Sequence, residues 1–349
     1  MSNFRGPRQD VENICYDADE TIQWSETITL TLLIIGLFLL LAGGFGMVRG
    51  ASGLAEGYGV PPLVVGMTVV AFGTSAPELV VNFLGALRGE TAIAFGNITG
   101  SNLANIGLVL GAAAVTTPIA LAGKIIRREL PLLLLATVVL LAMTLDQLLR
   151  SSTPVLDRSD AVVMLLLFGI FIYITVLDFL RQRQDPLLTT IDKLHLVSHL
   201  ERKFNWIMVA AGIIGLAVGA QLTIDSGADL ATELGVPTVI VGMLVVAVGT
   251  SLPELVTSIY AALKGNADLC VGNVIGSNIF NAMFVLPISA LIHPLEVPAG
   301  GSIDIFASLI LSIALIPVFI AGKTIMSRQI GAAFLLVYVS YMTARYYFS

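Results

Sequence analysis

The stretch from Gly59 to Leu110 occurs twice in this chain, so the fold must provide the same environment twice. Setting Gly59-Val60-Pro61 against Gly235-Val236-Pro237 starts an alignment at a constant offset of 176 (254 − 78 for two glutamates). It runs without a gap for roughly fifty residues, about half of them identical, and self-similarity of this kind takes precedence over any local reading. The identities fall in two blocks. Gly73-Thr74-Ser75-x-Pro77-Glu78-Leu79 returns as Gly249-Thr250-Ser251-x-Pro253-Glu254-Leu255. Gly96-Asn97-x-x-Gly100-Ser101-Asn102-x-x-Asn105 returns as Gly272-Asn273-x-x-Gly276-Ser277-Asn278-x-x-Asn281. What persists is small, polar or carboxylic, set in otherwise apolar sequence.

That apolar setting points to lipid. Of 349 residues, 56% are hydrophobic and 12% charged, against roughly 25% charged in soluble domains. A net charge of −6 argues against a nucleic-acid partner, which needs a basic stripe. Cys15 and Cys270 are too few for a disulfide framework or a metal site. Residues 1–26 form a polar, acidic tail, expected to be loose or partly helical. The apolar run after it outlasts the core of a signal peptide, so no cleavable leader is expected.

A bilayer crossing needs about 20 apolar residues, which places ten helices near 28–55, 60–87, 92–115, 126–146, 160–181, 205–232, 236–264, 268–291, 303–322 and 328–347. The expected fold is an all-α membrane protein of ten transmembrane helices in two inverted five-helix repeats, with broken helices at the midplane. Residues 27–181 make the first repeat and 204–349 the second, joined by a cytoplasmic linker over 182–203. Five crossings per repeat reverse the direction of every equivalent helix, the architecture of many secondary transporters. With both termini outside, twelve of the 18 Lys and Arg residues lie on the inner side, as the positive-inside rule prefers. Arg88 and Lys264, equivalent in the repeats, then sit on opposite faces.

Glu78 and Glu254 fall mid-span, where a charge costs roughly 2.5–3.5 kcal/mol on insertion scales. At equivalent positions they would meet near the midplane and repel unless a cation lay between them. A single such glutamate could serve helix packing; a duplicated Gly-Thr-Ser-x-Pro-Glu argues for an ion. Pro77 and Pro253 lack an N–H, which frees the carbonyls of Gly73 and Gly249. Unwound carbonyls at this depth are tolerated only where they line a cavity or are buried in protein. Two carboxylates, freed carbonyls and the hydroxyls of Thr74, Ser75, Thr250 and Ser251 approach the six to eight oxygens Ca²⁺ prefers. Zinc or copper would need Cys or His ligands instead.

The second block adds neutral oxygen. Ser101 and Asn105 are four apart and share a helix face, as do Ser277 and Asn281. Neutral oxygens suit a weakly held Na⁺. Gly96, Gly100, Gly272 and Gly276 follow the small-xxx-small pattern of close helix packing. Asn97, Asn102, Asn273 and Asn278 are open between ligation and bracing of the bend. His195, His199, Asp225 and Asp229 read as solvated or interfacial.

The paired motifs resemble the alpha-repeats of the sodium/calcium exchangers, within the cation/calcium exchanger superfamily, and most closely its ten-helix prokaryotic members. The resemblance covers the chain from the first helix onward. It implies that Glu78 and Glu254, with the backbone carbonyls of Thr74 and Thr250, ligate Ca²⁺. It implies Na⁺ sites built from Ala71, Ser75, Ser101 and Asn105 and from Ala247, Ser251, Ser277 and Asn281. It further implies three Na⁺ exchanged per Ca²⁺, alternating access by sliding of the first and sixth helices, and residence in a prokaryotic inner (plasma) membrane. Some relatives carry Asp where this chain has Asn281, a residue tied to potassium dependence, so potassium coupling is not expected here. The expected activity is antiport of Na⁺ against Ca²⁺ with no enzymatic step, no cofactor and no protein partner. The rivals are a Ca²⁺/H⁺ antiporter of the same superfamily, which usually shows Gly-Asn-x-x-Glu at the first motif, and a cation-binding receptor or channel without coupled exchange.

Overall fold

The computed structural model describes residues 8–120, 128–149, 151, 153–182, 199–234, 249–320 and 325–348. Almost all of them are helical, because lipid leaves a backbone no other partner than itself. The first helix, α1 (Arg8–Tyr58), carries the acidic tail from Arg8 onward straight into the first apolar span. The second span is broken: α2 (Pro62–Val65), a π-helical turn over Gly66–Val70, α3 (Ala71–Thr74) and α4 (Ala76–Leu87). Next come α5 (Thr91–Ala104), a π-helical turn over Asn105–Leu110 and α6 (Gly111–Thr116), which form one path. After β1 (Ile119–Ala120), α7 (Leu130–Met143), α8 (Asp146–Leu149) and β2 (Val155–Leu156), the long α9 (Arg158–Gln182) ends the first half.

The second half opens with α10 (His199–Glu233) and continues with α11 (Leu252–Leu263), α12 (Ala267–Phe280), a π-helical turn over Asn281–Val285 and α13 (Leu286–Ile292). It closes with β3 (Leu295–Glu296), α14 (Gly301–Ile320), β4 (Ile325–Met326) and α15 (Arg328–Phe348). Among the described residues six helices are long and apolar enough to cross a membrane, and a seventh span results if Pro62–Leu87 is counted as one bent crossing. The first part of the predicted 236–264 helix, Ala247, His195 and most of the linker lie outside the described residues. Asp225 and Asp229 are exposed, as a solvated position requires.

Two paths form the interior. The windows within Thr91–Thr116 and Ala267–Ile292 are each 78% buried, against 28% for those in α1, α9 and α10, so the motif helices lie inside and these outer helices face lipid. The outer pair α1 and α10 packs backbone to backbone through glycine. A Cβ on Gly43 would sit 2.7 Å from the Leu216 nitrogen, and one on Gly212 2.6 Å from the Met47 nitrogen. Gly36 lies against Thr223 and Gly50 against Val209, so as α1 advances α10 recedes and the two run antiparallel. Gly36 and Gly212 are 176 apart, as are Gly43 and Gly219.

The short strands show the same reciprocity. β1 pairs with β4, Ile119 opposite Met326, and β2 pairs with β3, Leu156 opposite Leu295. Each ribbon ties the end of a motif path in one half to the approach of the last long helix in the other. Arg158 donates to the Leu291 carbonyl (3.1 Å) and Arg328 to the Thr116 carbonyl (3.3 Å), reinforcing the two joints in parallel.

Candidate cation site

The break in the second span is local chemistry. Ser75 leaves helical geometry (φ −87°, ψ 9°) and Ala76 and Pro77 open α4, where a missing N–H costs nothing because the first helical donors have no intrahelical acceptor. The axis turns by 47° there. Ser251 has the same backbone (φ −85°, ψ 4°) ahead of Pro253. Each break puts its glutamate in the first turn of the restarting helix, where the helix dipole favours a carboxylate. Glu78 and Glu254 are both fully buried.

Most of the predicted ligating residues share that burial. Ala71, Thr74, Ser75, Ser101, Asn105, Ser251, Ser277 and Asn281 are buried and Thr250 is half-buried. Ser75 donates to Glu254 Oε1 at 2.7 Å and Ser277 to the same oxygen at 3.4 Å, so residues of both repeats converge on one carboxylate. Among the described residues both oxygens of Glu78 are without a hydrogen-bond partner, as are Glu254 Oε2, the Ser251 hydroxyl, Asn105 Oδ1 and the whole Asn281 amide. Burying so many polar atoms without partners would cost several kcal/mol, and in native interiors such atoms have an explanation. Their composition supplies one: apart from the Asn281 amide nitrogen they are all oxygens, two of the side chains carboxylates, a donor set for a hard cation.

The second motif's role is split. Asn105 and Asn281 each open a π-helical turn, a distortion frequent at functional sites. Asn102 donates to the Asn278 carbonyl (3.3 Å) and Asn278 to the Asn102 carbonyl (3.0 Å), a reciprocal clasp between equivalent residues. Asn97 and Asn273, open between ligation and bracing in the sequence, accept from the opposite repeat's threonine: Thr250 to Asn97 at 3.2 Å, Thr74 to Asn273 at 3.1 Å. Gly272 and Gly276 pack as expected, a Cβ on Gly276 falling 2.6 Å from the Met67 Cα. For Gly96 and Gly100 no described atom comes within 4 Å of such a Cβ.

Sequence reasoning missed Asn82, Thr257 and Ser258, all buried, on the helices that carry the glutamates. Asn82 and Ser258 stand four residues past Glu78 and Glu254, on the same face. That spacing was a usable signal.

The family model for sodium/calcium exchanger proteins matches residues 28–177 and 204–347, two segments that begin 176 residues apart. The chain belongs to the sodium/calcium exchanger family. It is an integral membrane protein. Among relatives of this family, the inner membrane protein YrbG of Escherichia coli is 37% identical over 291 residues, 82% of this chain and 87% of that protein. The sodium/calcium exchanger MaX1 of Methanosarcina acetivorans is 28% identical over 351 residues, 92% and 99% of the two chains. A solved structure of the sodium-calcium exchanger NCX_Mj, soaked with 100 mM Na⁺ and 10 mM Sr²⁺, superposes with a TM-score of 0.78 at 29% identity, covering 91% of this chain and 98% of that one. Membership in this exchanger family supports cation/calcium exchange as the activity of the chain.

Proposed function

We propose that this chain is a secondary antiporter that exchanges Na⁺ for Ca²⁺ at one buried site shared by two inverted five-helix repeats. The observation that carries the reading is the set of orphaned buried oxygens in the repeated motifs, both oxygens of Glu78 and Oε2 of Glu254 among them. Antiparallel α1 and α10, the reciprocal strand pairs and the Asn102–Asn278 clasp support the inverted arrangement. Glu78 and Glu254 with the carbonyls of Thr74 and Thr250 take Ca²⁺. Ala71, Ser75, Ser101 and Asn105, and Ala247, Ser251, Ser277 and Asn281, provide for Na⁺.

The charge balance makes the exchange obligatory. Two carboxylates carry about −2, which one Ca²⁺ or two Na⁺ would neutralise, and an unfilled site leaves uncompensated charge in a low dielectric. Interconversion between inward- and outward-open forms is therefore favoured only when the site is filled. A third Na⁺ per cycle moves one net charge, worth about 2.3 kcal/mol per 100 mV of membrane potential. The glycine seam holds α1 and α10 together, and this pair is the unit that slides over the interior helices. Both termini lie outside, in the inner (plasma) membrane of a prokaryote.

Equilibrium binding tests the site itself. ⁴⁵Ca²⁺ bound to the detergent-purified protein is expected to be displaced by Na⁺ and not by K⁺ at equal ionic strength. Binding indifferent to Na⁺ would refute the shared site.

A further inference from the structure

We propose that a cavity between α1, α10 and α11 seats the headgroup of a membrane phospholipid, with Arg49 and Lys264 on its phosphate and Glu56 on an ammonium group beyond it. That is the chemistry of an aminophospholipid. The proposal is independent of which ions the buried glutamates carry.

The cavity, about 880 Å³, lies at one end of the bundle, lined by the last turns of α1, the first of α10 and the close of α11. There the chain turns from α11 into α12 through Gly265 (φ +77°). Asn266 Nδ2 donates to the Ser52 hydroxyl at 3.0 Å and fastens that turn to α1. At the same end Trp206 Nε1 donates to the Tyr58 hydroxyl at 3.3 Å, and the Arg202 guanidinium lies 5.8 Å from the centre of the Tyr58 ring. Trp, Tyr and basic side chains gathered at one level mark a boundary between membrane and water.

One face of α1 argues for a lipid. Ile34, Phe38, Leu41 and Phe45 recur at helical spacing and are all exposed, on a helix that faces lipid. At the same spacing the face continues with Arg49, Ser52 and Glu56, and all three line the cavity. Along one stripe the chain is thus apolar, then cationic, then hydroxylic, then carboxylic. An aminophospholipid followed outward from its tails is apolar, then a phosphate, then a short linker, then an ammonium group. Each part meets its complement. Phosphate from solution would use the cations and leave the apolar stretch without a role.

The two cations are held in place and keep their charge. The Arg49 guanidinium lies 5.8 Å from the Phe45 ring centre and the Lys264 ammonium 5.5 Å from that of Tyr260. These two rings meet edge-on, 5.6 Å apart. A cation over a ring face is attracted to it without being neutralised. Among the described residues neither Arg49 nor Lys264 is in an ion pair, although Glu56 and Glu201 share the cavity. Glu56 stands seven residues past Arg49, about 10 Å along the helix axis and toward its end, so the carboxylate lies outward of the cation. Basic pockets between membrane helices are known seats for lipid headgroups. Because its walls come from three helices, an occupant here bridges the α1–α10 pair to α11, the helix that carries Glu254.

The test titrates the full chain, purified in detergent, with short-chain lipids and reads thermal unfolding, since a ligand that binds the folded protein stabilises it by an amount its affinity sets. Dioctanoyl phosphatidylethanolamine is expected to act at about fivefold lower concentration than dioctanoyl phosphatidylglycerol. Inorganic phosphate at equal ionic strength is expected to do nothing. Arg49→Gln and Lys264→Gln are each expected to weaken both lipids about fivefold, equivalent to about 1 kcal/mol per charge contact. Glu56→Gln is expected to weaken phosphatidylethanolamine by the same factor and to leave phosphatidylglycerol unweakened. Lys203→Gln removes an exposed α10 cation outside the cavity and is expected to change neither lipid. Arg49, Lys264 and Glu56 are exposed, so these substitutions spare the core. Equal affinity for the two lipids, or a Glu56→Gln variant that weakens both alike, would overturn the aminophospholipid assignment. Arg49→Gln and Lys264→Gln variants that behave as Lys203→Gln does, or displacement of the lipid by inorganic phosphate, would overturn the lipid site itself.

Discussion

Replacing Glu78 with glutamine separates the ion-binding role of this carboxylate from any role in packing. The side chain is fully buried, and among the described residues no other side chain donates a hydrogen bond to it. A glutamate kept for helix packing would have partners, and Glu78→Gln would break them. Here glutamine preserves shape, removes a buried charge and gives up no side-chain hydrogen bond that the described residues supply. Ion binding should respond in the opposite way. Deleting one partner of a buried ion pair costs about 3–5 kcal/mol, which is a loss of affinity of about a hundredfold to a few thousandfold. The assay is thermal unfolding of the detergent-purified protein, with chelator and with Ca²⁺. At a Ca²⁺ concentration a hundred times the dissociation constant, wild type gains about 2.7 kcal/mol; Glu78→Gln gains at most about 0.4 kcal/mol at that concentration and, in chelator, melts no lower than wild type. A variant that melts well below wild type in chelator, or that Ca²⁺ stabilises equally, would refute the reasoning.

Three further outcomes follow from the same geometry. A single cysteine at Arg88 is expected to react with an impermeant thiol reagent from outside, and one at Lys264 only from inside, once Cys15 and Cys270 are replaced; labelling from the same side would contradict inversion. Na⁺-driven flux in wild type is expected to persist with choline in place of K⁺, because Glu78 and Glu254 alone give a charge Ca²⁺ already balances, whereas Asn281→Asp adds a third carboxylate and is expected to make flux sensitive to K⁺ or pH; collapse of wild-type flux without K⁺ would refute the charge count. Gly276→Leu is expected to lower the melting temperature and flux together, since even a Cβ would lie 2.6 Å from the Met67 Cα and 2.7 Å from its carbonyl oxygen; a stable, active variant would show that this seam yields.

Much of the proposed site stands out in the sequence because duplication marks it. A residue that recurs after 176 positions in apolar sequence stands out, and Glu78, Glu254, Ser101, Asn105, Ser277 and Asn281 all do so. The breaks were legible from Pro77 and Pro253, whose missing N–H dictates where a helix restarts. Asn82 and Ser258 escaped because they differ from each other: the function they share is accepting one amide proton, which either side chain performs and identity does not record. Asn97 and Asn273 were visible yet open, since an asparagine amide can ligate or brace and only its neighbours decide. The strand pairs β1–β4 and β2–β3 left no trace, being two residues long and held by contacts across the whole chain. The glycine seam between α1 and α10 was legible in principle, Gly36 and Gly43 having equivalents at Gly212 and Gly219, but these helices carry no polar motif that draws attention to them.

The central claim is that a Na⁺ gradient drives Ca²⁺ through a site built on Glu78 and Glu254. ⁴⁵Ca²⁺ uptake into proteoliposomes, with Na⁺, K⁺ and proton gradients imposed one at a time, tests it most directly. Uptake is expected under an outward Na⁺ gradient alone, to increase with an inside-positive potential, and to vanish in Glu78→Gln and Glu254→Gln. Uptake driven by the proton gradient and indifferent to Na⁺, or undiminished in either variant, would contradict the account.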